Sequence, residues 1–86
     1  MPYRVELSPH ALRDLKGLDK TAQKRIAQAI DGLESNPRSH GCQKMEGLEN
    51  AFRIRVGDFR VVYQIHDKVL FVLVIKIGHR RDIYRR

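Results

Sequence analysis

Little in this 86-residue sequence points to a membrane, an oxidising compartment or a metal. A single cysteine, Cys42, excludes an intrachain disulfide and fits a reducing cytoplasm. The longest apolar run, residues 69–75, falls far short of the roughly 20 residues that span a bilayer. The opening Met-Pro-Tyr-Arg-Val-Glu has no apolar signal-peptide core. The expectation is a cytoplasmic protein without a membrane partner. No Gly-x-Ser-x-Gly, His-Glu-x-x-His, P-loop or Gly-x-Gly-x-x-Gly occurs. The acids are scattered, which argues against a two-metal nuclease, and His40 with Cys42 offers a metal only two ligands. Neither a metal nor another cofactor is expected.

What the chain does have is positive charge, unevenly placed. The length suits one small domain, residues 1–86, with an apolar fraction of 42% and a charged fraction of 31%. Net charge is +7. From Ala51 onward nine Lys and Arg face three acids, a net +6, whereas the preceding residues hold eight against seven, a net +1. Seven of those nine are arginine, the residue suited to bidentate phosphate contact. Such a footprint fits a polyanion, nucleic acid first and an anionic membrane second, or equally an acidic protein partner.

Residues 3–7 alternate as a strand does. Ser8-Pro9 then combines an N-cap with a proline suited to a first helical turn. Ala11, Leu12, Leu15 and Leu18 mark the buried stripe of a short helix that ends between Gly17 and Asp19. Thr21 or Asp19 caps a second helix reaching about Glu34, with Ala22, Ile26, Ala29, Ile30 and Leu33 on one side. Asn36-Pro37 stops it. Residues 44–48 form a short edge strand or a turn. The run 69–75 is apolar on both faces, so it predicts a central strand, ended by Gly78. The fold class is α+β: an N-terminal strand, a two-helix hairpin on a mainly antiparallel sheet of four to five strands, and a short basic tail.

Two strictly alternating runs flank Gly57-Asp58. Glycine at the first central position of a two-residue loop suits a primed hairpin turn. Register follows: Val56 faces Phe59, Arg55 faces Arg60 and Ile54 faces Val61, which puts Arg53, Arg55 and Arg60 on one sheet face. Tyr63 joins Phe59 and Val61 on the apolar face. A cluster of arginines suits RNA chemistry in which the ribose 2′-hydroxyl attacks its own phosphate, because guanidinium groups stabilise the added negative charge. Arginine is a poor base, however. The residues by themselves support a phosphate-binding site.

The runs F-R-I-R-V-G-D-F-R-V-V-Y-Q-I and V-L-V-I-K-I-G-H-R-R-D-I-Y, preceded by K-M-E-G-L, resemble the RelE branch of the RelE/ParE toxin superfamily. The resemblance spans essentially the whole chain. It implies a RelE-like toxin: a metal-free, ribosome-dependent mRNA endoribonuclease that works in the decoding site and is neutralised by a cognate RelB-like antitoxin. It further implies that Arg55, Arg60, Arg80 and Tyr84 form the catalytic set, and that Lys44, Arg53, His79 and Arg81 contact RNA. Well-known members carry lysine where this chain has Arg53 and Arg55, so the proton acceptor is left without an assignment. A ParE-type gyrase inhibitor and a non-catalytic RNA- or antitoxin-binding module are the alternatives.

Overall fold

The computed structural model describes residues 2–79. Arg80, Arg81 and Tyr84 lie outside the described residues. The first strand, β1, is Arg4–Leu7. Ser8 follows in extended backbone, and its hydroxyl accepts the Ala11 N–H at 3.1 Å, starting α1, Pro9–Lys16, with the proline in the first turn. Ala11 and Leu15 pack inward. Leu12 instead faces solvent, 42% exposed, because the helix turns about 100° per residue and only the i, i+4, i+7 positions share one stripe.

Asp19 accepts the Ala22 N–H at 2.8 Å and caps α2, Lys20–Gly32. The helix stops short of Asn36-Pro37. Its end tightens into i→i−3 bonds, with Leu33 N–H to the Ile30 carbonyl at 3.0 Å and Glu34 N–H to the Asp31 carbonyl at 3.1 Å. Leu33 still reaches the core at 1% exposure.

Four further strands follow: β2 (Gln43–Lys44), β3 (Ala51–Val56), β4 (Phe59–His66) and β5 (Phe71–His79). They join β1 in one sheet of order β1-β5-β4-β3-β2, antiparallel except for the parallel β1–β5 pair. The central apolar strand starts later than its hydropathy predicts. Asp67–Val69 forms a 3-10 turn closed by Leu70 at φ 50°, and Val69 is left 71% exposed. Gly78 does not end β5 but pairs with Arg60 inside it. Past Val74 there is no β1 residue alongside, and the first helix takes over that edge. Ser8 Oγ donates to the Ile75 carbonyl at 3.2 Å, and Asp14 Oδ2 accepts the Ile77 N–H at 2.9 Å.

Both helices cover one face of the sheet, where Ala11, Ile26, Ile30 and Leu33 meet Ile54, Val61, Tyr63, Ile65, Val72, Val74 and Ile77. Tyr63 is fully buried, and its hydroxyl donates at 2.6 Å to the Pro37 carbonyl. That bond holds the loop after α2 against the sheet. Burial also pushes the Tyr63 phenol above its ordinary pKa. Tyr63→Phe leaves a shielded carbonyl without its donor and is expected to destabilise by about 1–2 kcal/mol. Thermal unfolding reads this as a drop of roughly 4–8 °C per kcal/mol in a domain of this size.

Candidate nucleic-acid interface

The β3–β4 hairpin builds the site. Gly57 adopts φ 61° while Asp58 keeps a negative φ, the signature of a type II′ turn. Its register matches the sequence reading: Val56 opposite Phe59, Arg55 opposite Arg60, Ile54 opposite Val61. Ile54 and Val61 face the helices at 9% and 0% exposure. Alternation therefore sends Arg53, Arg55 and Arg60 to the other face. Opposed like charges cost the ladder up to about 1 kcal/mol.

β2 sets how these arginines are held. It reaches only as far as Gln43, opposite Arg53, so Arg55 stands beyond the end of the edge strand. Gln43 Oε1 accepts both Nε (3.1 Å) and Nη2 (2.9 Å) of Arg53, which orients that guanidinium. Beside them a groove of about 620 Å³ opens along the β3 edge. Arg53, Arg55 and Arg60 line it together with Ala29 and Leu33, and with Ser39, His40 and Gly41 of the loop 37–42. Among the described residues no carboxylate lines it.

That loop wall is tied down at its base. Arg38 donates to both Asp67 oxygens, Nη1 to Oδ1 at 3.0 Å and Nη2 to Oδ2 at 2.8 Å, while its guanidinium carbon lies 5.4 Å from the Phe52 ring centre. The Tyr3 hydroxyl donates to Oδ1 at 2.7 Å. Arg38 first, and then Tyr3, lower the Asp67 carboxyl to about 2. The same contacts raise both the Tyr3 phenol and the Arg38 guanidinium above their ordinary values.

The remaining sequence candidates are not all gathered here. Lys44 sits opposite Phe52 and thus falls on the ladder side away from Arg53. His79 pairs with Phe59, its ring edge-on to that phenyl at 5.7 Å, on the sheet face opposite the arginines. Lys76, opposite Val62, joins the arginine face instead. Alternation within the apolar run gave no sign of it, because a bulge shifts the β5 phase between Val62 and Tyr63. Among the described residues no three His, Cys, Asp or Glu side chains gather as a metal site would need.

Residues 5–84 match the family model described as the ParE toxin of the type II toxin-antitoxin system parDE. The chain is 33% identical to Toxin RelG of Mycobacterium tuberculosis over the full length of both proteins. The chain belongs to the RelE/ParE toxin superfamily, as a RelE-type toxin. It is 26% identical to the mRNA interferase toxin RelE of Escherichia coli K12, with 93% of this chain and 85% of that protein aligned. Its fold superposes with TM-score 0.82 on the archaeal RelE–RelB complex structure from Pyrococcus horikoshii, at 28% identity and with all of both chains covered.

The Asp67 contacts give this RelE-type fold a pH dependence with a definite sign. A folded pKa of about 2 against an ordinary 3.8 means that the contribution is present above the ordinary value and is lost as pH falls through about 2. Asp67→Asn is therefore expected to melt below wild type at neutral pH. The gap should close as pH falls from 4 towards 2, as about two pH units of thermal-unfolding data would show.

Proposed function

We propose that this RelE-type toxin is a ribosome-dependent endoribonuclease that cuts mRNA in the decoding site and is held inactive by a cognate RelB-like antitoxin. The observation that carries this reading is the convergence of Arg53, Arg55 and Arg60 on one sheet face beside an open groove. The mRNA interferase name of the E. coli relative and the RelB-bound state of the P. horikoshii relative support it.

In this reading the 2′-oxygen of one ribose attacks the adjacent phosphorus, the bond to the 5′-oxygen breaks, and the products are a 2′,3′-cyclic phosphate and a 5′-hydroxyl. No metal takes part. The hydroxyl proton passes to a base, and a proton joins the departing 5′-oxygen. Arg55 and Arg60 hold the phosphate and the charge that builds on it in the transition state. Arg53, oriented by Gln43, grips the neighbouring backbone. Arg80 completes the phosphate clamp, Tyr84 stacks on a base or aligns the hydroxyl, and Lys44, His79 and Arg81 give outer backbone contacts. The antitoxin covers this basic face with acidic and apolar side chains and so excludes RNA.

Primer extension on mRNA in programmed ribosomes tests the reading. Wild type is expected to cut at the decoding-site codon, with Arg60→Ala slowed by about 10²–10³ in single-turnover cleavage, as for loss of one preorganised donor. Absence of cleavage by folded wild type sinks the proposal. The ParE name of the matching family model then makes gyrase inhibition the second reading, which a supercoiling assay decides.

A further inference from the structure

The arginine cluster leaves one step of the proposed cleavage without an agent. A guanidinium holds its protons at neutral pH, with a pKa above about 12, so Arg53, Arg55 and Arg60 stabilise charge but do not accept the proton of the attacking hydroxyl. Among the described residues, the other polar side chains lining the groove, Asn36, Ser39 and Gln43, do not serve as bases near neutrality either.

The chain's four histidines sort themselves by position. His10 lies on α1, 3.5 Å from the Asp14 carboxylate. His66 stacks on Phe71 at the far end of β4 from the hairpin turn. His79 meets Phe59 on the sheet face opposite the arginines. His40 alone lines the groove, exposed to solvent on the loop 37–42. The Tyr63–Pro37 bond and the bidentate Arg38–Asp67 pair hold that loop at its start, 26 and 29 residues away in sequence from the groups they join. The charged groups sharing the groove are Arg53 and Arg55 from β3 and Arg60 from β4, whereas α2 lends Ala29 and Gly32, and β2 lends Gln43.

We infer that His40 is the proton acceptor for the attacking 2′-hydroxyl, an assignment that rests on the cleavage reading above. The proton passes from O2′ to an imidazole nitrogen as the O2′–P bond forms and the P–O5′ bond breaks, and O5′ takes up a proton from solvent. An imidazole does this only in its neutral form, and histidine changes charge between pH 5 and 8. The neutral base and the charge-stabilising arginines then line one groove, which receives the phosphate.

The test is single-turnover cleavage of mRNA on programmed ribosomes across pH 5.5 to 8.5, roughly the range of histidine titration. Wild type, His40→Gln and His40→Gly are compared, the last with and without free imidazole, and thermal melting confirms that each is folded. The expected result is a wild-type rate that climbs with pH to a plateau and a His40→Gln rate lower by about 10²–10⁴. The climbing limb should be missing from His40→Gln, and imidazole should restore cleavage to His40→Gly. A His40→Gln protein that cleaves at the wild-type rate with an unchanged pH profile overturns this assignment and leaves the nuclease reading standing. So does a slowed variant that keeps the wild-type profile and ignores imidazole, since His40 then acts as a contact alone. Wild type that fails to cleave overturns both.

Discussion

The arginine face depends on the two-residue turn at Gly57-Asp58. Because side chains alternate along a strand, slipping the register by one residue would exchange the two faces of the hairpin. The turn fixes the register by its φ signature, and Arg25 of α2 packs against it, with Nη1 only 3.2 Å from where a Gly57 Cβ would stand. Core burial and charge clustering thus become one choice. Separating Arg55 from Arg60 would require exposing Ile54 and Val61, each worth about 1.5–3 kcal/mol when buried. The repulsion between the opposed arginines is below about 1 kcal/mol. The core wins, and the cluster persists.

The hairpin was legible in the sequence for the same reason. Strict alternation gives phase, and a glycine-led two-residue loop gives register, so Arg53, Arg55 and Arg60 could be placed together without coordinates. The central strand offers no such phase. Residues 71–75 are apolar without interruption, and a bulge there moves the core-facing set from Val72 and Val74 to Ile77. A continuous apolar run carries no mark of a one-residue shift. The shift sends Ile77 to the core, sets the side-chain-free Gly78 opposite Arg60, brings Lys76 to the arginine face and takes His79 away from it. The end of α2 was misread by a few residues because Asn36-Pro37 sets an outer limit for the helix, whereas the i→i−3 tightening that ends it is a local choice of the last turn.

The loop 37–42 was harder to read because its position rests on contacts distant in sequence. Tyr63 reads as a core aromatic, and the alternation that buries its ring says nothing of where its hydroxyl lands. That hydroxyl finds the Pro37 carbonyl, and Arg38 finds Asp67 at the start of the β4–β5 connection. Only with both contacts in place do Ser39, His40 and Gly41 become a wall of the groove. A polar stretch with no motif thereby becomes part of the site, through its anchors rather than its own composition.

The arginines themselves divide by the acceptor each one meets. Arg38 gives both of its Nη groups to a carboxylate, and the pair is electrically closed as it braces the loop. Arg53 is oriented by the Gln43 amide oxygen, a neutral acceptor. A neutral partner fixes direction without itself cancelling charge. Arg55 and Arg60 share the groove with Arg53, and among the described residues no carboxylate lines it. Exposed ion pairs are worth only about 0–1 kcal/mol, so orienting Arg53 through a neutral amide such as that of Gln43 gives up little stability.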